Sequence, residues 1–383
     1  MARALYIHWP FCAKKCPYCD FNSHVREGVD FALWERSMLA DMRWEAERAG
    51  GETLTSIFFG GGTPSLMPPA LVGRLLAEAE QLWGFDSDIE ITLEANPSSV
   101  EAANFSGLAV AGVNRVSLGI QALDDETLTF LGRLHGVEEA LRALAVAQKE
   151  FRRVSFDLIY ARPGQSLAQW QAELKQALAY GTDHLSLYQL TIEPGTRFET
   201  DVRLGRFAPL DDDPAADLFA LTADMTGAAG LPAYETSNHA RPGEESRHNL
   251  TYWRYQDYCG IGPGAHGRRG GMATTRHRKP ENWLGAVDQC AHGTRDERQL
   301  GEKEQASEAL LMGLRLAEGI DPSALGNRFA LAPDTMLRSD RVEFYTRLGM
   351  LEQENGRLRV TDKGKPLLDA LLAELVADEL ALA

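Results

Sequence analysis

Three cysteines in the stretch Cys12-Ala13-Lys14-Lys15-Cys16-Pro17-Tyr18-Cys19 carry the strongest chemical signal in the chain. Thiolates are soft ligands for transition metals. This spacing lets one loop present three of them to one face of a metal cluster. A closed structural zinc site takes four ligands, and so does an iron–sulfur cluster held by four cysteines. The remaining cysteines, Cys259 and Cys290, are remote in sequence. Three ligands on a four-iron cluster leave one iron open to a substrate or cofactor. Two alternatives stand beside this reading: a zinc loop completed by His8 or His24, and a disulfide with a spare thiol. The second needs an oxidising compartment.

The elements that have to position this loop alternate in type. Short apolar runs recur at Ala4–His8, Ser56–Phe59, Ile89–Leu93, Arg115–Ile120, Val154–Ile159 and His184–Gln189. Helical patterns lie between them at Phe31–Ala49, Pro69–Leu82, Ser98–Ala111, Val137–Glu150 and Ser166–Tyr180. Six strand–helix repeats predict parallel strands with right-handed crossovers. The residues with chemical content follow strands: the cysteines, Gly60-Gly61-Gly62-Thr63-Pro64, Glu94, Gln121 and Asp157. In (β/α) barrels the carboxyl ends of the strands form the active face, so these motifs are expected to converge there.

The glycine-rich turn lets backbone approach a ligand closely, or is simply a tight βα turn. Glu94 could equally serve a helix N-terminus. Asp157 in a strand needs a partner if buried. Later regions are less regular. One amphipathic helix is expected over Pro214–Ala229 and a short strand over Tyr234–Thr236. From Leu300 onward, helical patterns at Glu302–Ala317, Pro322–Phe329 and Thr335–Leu348 precede a hairpin, Met350–Glu354 with Arg357–Val360, turned at Asn355-Gly356. Thr361 is expected to cap a last helix, Asp362–Leu382. This part reads as winged-helix-like. It holds 10 Lys and Arg against 15 Asp and Glu from Gly301 onward, so a lid or docking module fits better than a DNA reader.

Composition sets outer bounds. The chain has 383 residues, 44% hydrophobic and 25% charged, which suits one large globular domain and a smaller one. A net charge of −16 argues against a nucleic-acid surface. No apolar run approaches the ~20 residues of a membrane span. No signal peptide is expected, since a strand-like run starts at once, and the odd cysteine count suits a reducing cytoplasm.

With its surroundings, the C-x3-C-x2-C spacing is similar to that of radical S-adenosylmethionine (SAM) proteins. Tyr6-Ile7-His8-Trp9-Pro10-Phe11 before it and Asp20-Phe21-Asn22 after it resemble the oxygen-independent coproporphyrinogen oxidase family, most closely its heme-chaperone branch. The resemblance implies a partial (β/α)6 TIM-like barrel over residues 1–200, a barrel extension over 201–299 and the winged-helix-like module over 300–383. It implies a [4Fe-4S] cluster on Cys12, Cys16 and Cys19, with SAM chelating the open iron. An electron from the cluster would then cleave a C–S bond of SAM to a 5′-deoxyadenosyl radical. Around SAM it places Tyr6, Tyr18, Gly61, Gly62, Thr63, Glu94, Gln121, Arg133 and Asp157. Arg133 would suit the SAM carboxylate.

Two departures from the oxidases bear on function. They continue the motif with a further cysteine two residues on, where this chain has Phe21, and they carry an N-terminal extension, where this chain begins its first strand at residue 4. Both point to the chaperone branch, as does His248-Asn249-Leu250-Thr251-Tyr252-Trp253, which matches that branch's H-N-x-x-Y-W signature. Neutral imidazole is a common heme ligand, so His248 would ligate heme and Tyr252 and Trp253 would pack on it. The structural alternative is a loop histidine beside core aromatics. The basic stretch Arg268, Arg269, Arg276, His277, Arg278 and Lys279 is expected to be a solvated hairpin face rather than a propionate site. The resemblance implies heme transfer to acceptors such as respiratory enzymes, and a cluster-dependent homodimer; radical decarboxylation of coproporphyrinogen III is the other activity it admits.

Overall fold

In the computed structural model, which describes residues 3–377 and 380, six parallel strands run in sequence order: β1 (Ala4–Trp9), β2 (Leu54–Gly61), β3 (Phe85–Ala95), β4 (Arg115–Gln121), β5 (Arg153–Tyr160) and β6 (His184–Gln189). Each pairs with the next in parallel register, as in Ile7↔Phe59, Phe59↔Leu93 and Phe156↔Leu185. Tyr258–Ile261 adds to the free side of β1 in parallel. The strands 266–269, 272–276 and 294–299 continue antiparallel beyond it, and Asn238–Ala240 closes the β6 side. The sheet of 11 strands keeps two edges, so the barrel is open, as expected from the sequence.

Alternation decides what each face does. Leu5, Ile7, Trp9, Ile57, Phe59, Ile91, Leu93, Val116 and Leu118 are buried in one core with residues of the outer helices, including Trp34, Met38, Leu75 and Leu144. Each such side chain contributes about 1.5–3 kcal/mol by leaving water. The residues between them face the concave side: Tyr6, Ser56, Phe58, Glu90, Thr92, Glu94, Arg115, Ser117, Ser155 and Asp157. A parallel sheet buried on both faces normally reads as unbroken apolar runs. A polar inner face marks a barrel lumen built for chemistry.

The helices start and stop where capping dictates. Asp30 accepts from Leu33 N to open Phe31–Ala49, and Gly50 ends it. Ser166 and Gln169 form a reciprocal capping box before Leu167–Ala179. A second core, with Leu310, Phe329, Val342, Leu351, Leu372 and Leu375 at its centre, unites the C-terminal helices and the hairpin Leu351–Glu354 with Arg357–Val360. Asn355 and Gly356 both have positive φ, the two left-handed residues of a type I′ turn.

Several expectations need correction. The helix expected over Ser98–Ala111 is two pieces, Ser99–Ala102 and Phe105–Val110. That over Thr335–Leu348 breaks at Leu337 and Arg338, because Leu337 bridges Val376 and Arg338 N donates to Leu375 O. Tyr234–Thr236 is not a strand: Tyr234 N donates to Asn238 O in a turn, and the strand is Asn238–Ala240. The last helix starts at Leu368, since Pro366 disfavours helical backbone before it and Lys365–Leu367 forms a 3-10 turn. Its expected end lies partly outside the described residues. The basic stretch is a solvated face only at Arg278 and Lys279; Arg268, Arg269 and Arg276 are buried. Arg269 and Arg276 are buried against Glu45, with Nε–Oε1 2.7 Å and Nη2–Oε2 2.5 Å, and Asp41 lies 3.6 Å from Arg276. Arg268 stacks over Tyr255 at 3.5 Å. Burial of Arg269 and Arg276 follows from two carboxylates on the distant helix Phe31–Ala49.

Candidate functional site

At the carboxyl ends of the strands the three thiols sit on the loop after β1, free of disulfides and partly buried. A chain of polar contacts links two of them. Arg133 Nη1 lies 3.4 Å from both Cys16 Sγ and the Tyr18 hydroxyl; its Nη2 donates to Asn96 Oδ1 (2.5 Å) and Gly119 O (2.8 Å). Asn96 Nδ2 donates to Thr63 Oγ1 (3.1 Å), and Thr63 Oγ1 lies 3.5 Å from Cys12 Sγ. Burial pushes the Cys12 and Cys19 thiols up.

The sequence builds this mouth locally. Arg133 follows the helix Asp125–Phe130 and a left-handed Gly132 (φ +70). A Cβ on Gly132 would lie 2.6 Å from Pro17 Cδ, so glycine lets the Arg133 turn pack against the cysteine loop. Gly61 (φ +112) has the same role on the other side: its Cβ would fall 2.5 Å from the His8 ring. Gly62 packs against the Phe11 backbone. The glycines expected to admit a ligand therefore first admit β1 and the loop. Gln121, at the end of β4, is held at φ +76 beside a register shift. Such backbone costs about 1–3 kcal/mol and clusters at functional sites.

Two carboxylates face this space. Glu94 accepts from Gly61 N at 3.2 Å. Burial first, then the Asp157 charge, pushes its carboxyl up to about 8. Asp157 accepts from Ser117 Oγ at 3.1 Å and is raised to about 6, chiefly by burial. Tyr6 bonds His8 Nδ1 at 3.0 Å, and His8 Nε2 lies 2.9 Å from Asn22 O. Both His8 nitrogens are thus engaged, which removes it as a fourth metal ligand.

The chaperone-signature residues lie elsewhere. His248 and Tyr252 are on the helix Arg247–Trp253, which plugs the amino-end floor of the barrel. His248 is buried, 1% exposed. Its Nδ1 lies 3.1 Å from Ser56 Oγ, its Nε2 meets the Tyr252 hydroxyl, and its ring stacks on Phe58 at 5.0 Å. Burial lowers its pKa to about 3, so the ring is neutral. Glu90 anchors the helix, accepting from His248 N (3.2 Å) and pairing with Arg153 Nη1 (2.5 Å). Trp253 is half-buried at the helix end. Mouth and floor are joined by Tyr6, which stacks on Phe58 and lies 6.3 Å from the His248 ring. The sequence reading missed Asn96, Ser56, Phe58 and Glu90. The signal for the last three was there: polar or aromatic residues at every second position of otherwise apolar strands.

Residues 6–177 match the family model of the radical SAM superfamily, and residues 300–367 that of the HemN C-terminal domain. Heme chaperone HemW of Escherichia coli is 43% identical over 290 residues, 73% of this chain and 75% of that protein. HemW of Haemophilus influenzae is 34% identical over 98% of both chains. The mouse mitochondrial radical S-adenosyl methionine domain-containing protein 1 is 39% identical over 97% of this chain and 87% of its own. The solved structure of coproporphyrinogen III oxidase (HemN) from E. coli superposes with a TM-score of 0.79 at 20% identity, covering 97% of this chain and 89% of that one; this establishes a shared fold. The superfamily match implies a [4Fe-4S] cluster and SAM. The residues present fit both: three free thiols on one loop, two carboxyl groups on the concave face that burial raises, and a half-buried Arg133 whose buried Nε has no partner among the described residues. No group of three or more His, Cys, Asp or Glu among the described residues is placed to hold a single ion, whereas a cubane cluster takes one iron per thiol.

Proposed function

The chain belongs to the HemW family of radical SAM proteins, and from that premise we propose that it is a heme chaperone: it binds heme and hands it to acceptor proteins such as respiratory enzymes. The observation that carries the reading is full-length similarity to HemW at 34% identity over 98% of both chains. Phe21 supports it, standing where the oxidases carry a further cysteine and lying 59% exposed. In this reading Cys12, Cys16 and Cys19 hold the cluster. Tyr6, Tyr18, Gly61, Gly62, Thr63, Glu94, Gln121, Arg133 and Asp157 surround SAM. When bound, the cluster and SAM supply one-electron chemistry or a switch for dimerisation and heme release. Arg133 keeps a fixed positive charge beside Cys16, Thr63 approaches Cys12, and Glu94 and Asp157 receive hydroxyl or amino groups. His248, Tyr252 and Trp253 contact heme, which requires the Tyr252 hydroxyl to leave His248 Nε2.

No helix among the described residues is long and apolar enough to cross a membrane, and the reading places the protein in the cytoplasm. The 300–377 module serves as a docking element: Arg254 pairs with Glu318 through two contacts of 2.9 Å, tying it to the helix that bears His248.

The test uses one anaerobically reconstituted sample. Heme is titrated by absorbance into the protein and into His248→Ala. The same sample then receives coproporphyrinogen III, SAM and a reductant. Saturable heme binding at one per chain, weakened by at least tenfold in the variant, with no protoporphyrinogen formed, is expected. Turnover without a saturable heme site would make the protein an oxidase, the activity its fold neighbour carries.

A further inference from the structure

We propose that Ser56 sets the ring tautomer of His248 and that the Tyr252 hydroxyl guards the nitrogen so exposed, making Ser56 a positioning residue and Tyr252 a gate for heme ligation; the inference rests on the heme reading above.

The geometry begins with a neutral imidazole, which carries one N–H and one bare nitrogen. His248 has one hydroxyl at each end: Ser56 Oγ 3.1 Å from Nδ1, and the Tyr252 hydroxyl on Nε2. The two hydroxyls differ as partners. A phenol is the more acidic and the better donor, while an aliphatic hydroxyl accepts readily on two lone pairs. Pairing the better donor with the bare nitrogen has Nδ1–H donating to Ser56 Oγ and Tyr252 donating to Nε2.

That is the arrangement of a prepared metal ligand. Ligating histidines characteristically donate the other ring N–H to a fixed acceptor, which orients the ring and raises its basicity. Ser56 supplies that acceptor from β2, 192 positions away in the chain. The ring plane is fixed by Phe58 beneath it, at 5.0 Å and 23°, and the helix by Glu90. With Ser56, Phe58 and Glu90 all holding the ring, only the phenol stands on the nitrogen that a ferric iron would take. Tyr252 lies one turn along the same helix and packs edge-on against Tyr258 at 4.4 Å; in the proposed gate its side chain rotates off Nε2 while the helix stays in place.

The tests use the full chain and hemin as probe. In the heme-free protein labelled with 15N-histidine, the His248 signal, identified by its loss in His248→Ala, is expected to show a protonated Nδ1 and a bare Nε2. Tyr252→Phe is expected to bind hemin about fivefold more tightly, the equivalent of one neutral hydrogen bond no longer lost. Ser56→Ala is expected to bind about tenfold more weakly with a mixed tautomer signal, and Ser56→Thr to restore both. A bare Nδ1, or weaker hemin binding by Tyr252→Phe, overturns the proposal while leaving the heme reading intact. Hemin affinity unaltered in His248→Ala overturns the ligand role of His248 and the proposal with it. No saturable hemin binding by the unaltered protein overturns the heme reading itself.

Discussion

Glu90 and Glu94 lie one above the other on β3 and face the same lumen, yet their surroundings are opposite. Glu90 belongs to the floor. It is 2% exposed and meets a guanidinium, a backbone N–H and a serine hydroxyl. Glu94 belongs to the mouth. Among the described residues it accepts one hydrogen bond, from Gly61 N, and its nearest charge is another carboxylate. The floor partners Glu90 and both ring nitrogens of His248 internally. The mouth keeps carboxylates away from their ordinary ionisation and leaves the thiols without disulfides. Buried polar groups left without partners are costly, so the lumen concentrates that cost where binding can offset it.

The largest effect separates the two ends outright. Cys16→Ala is expected to abolish the iron–sulfur absorbance of the reconstituted protein while stoichiometric heme binding persists and heme transfer is lost. Unaltered transfer by this variant would show that the mouth does not govern the floor. Next, Glu90→Gln is expected to cost about 3 kcal/mol of unfolding free energy in urea, because Arg153 is left partly unpaired in a buried site. A neutral result would mean that the floor is not held by this pair.

The corresponding change at the mouth has the opposite sign. The folded pKa of Glu94, about 8, lies above its ordinary value. Its contribution is therefore fully present at pH 4 and is lost as pH rises toward 8. Asp157, at about 6, follows the same direction. Glu94→Gln is expected to leave heme-free stability unchanged at pH 4 and to raise it by about 2 kcal/mol at pH 8, read from denaturation at the two pH values. Equal shifts at both would break the contrast with Glu90. The smallest effect concerns the scaffold of the mouth. Gly132→Ala is expected to cost about 1 kcal/mol from left-handed backbone and contact with Pro17, and to accelerate cluster loss in air. Unchanged cluster lifetime would show that the Arg133 turn does not support the loop.

Much of the mouth was legible because its signals are local. Cys12, Cys16 and Cys19 share a loop, and Gly61, Glu94, Gln121 and Asp157 each end or approach the end of a strand whose pattern reads from neighbours along the chain. The alternation of strands and helices then sends those ends to one side. The floor was legible only as a six-residue signature. Whether His248 lies in a loop or a sealed lumen depends on Ser56 and Glu90, more than 150 positions away. The basic stretch misled for the same reason, since the carboxylates that bury Arg269 and Arg276 lie on the helix Phe31–Ala49.

The sequence by itself therefore determined the repeat, the strand ends, the gathering of three thiols on one loop and the type I′ hairpin at Asn355-Gly356. These follow from short-range sterics, capping and side-chain period, which need no distant partner. Tertiary structure alone decided which charges are buried, that Arg133 reaches Cys16 by way of a glycine packed on Pro17, and that both nitrogens of His248 are occupied. Burial and hydrogen-bond pairing are properties of surfaces brought together from far along the chain, and they set the ionisation and ligand availability on which function turns.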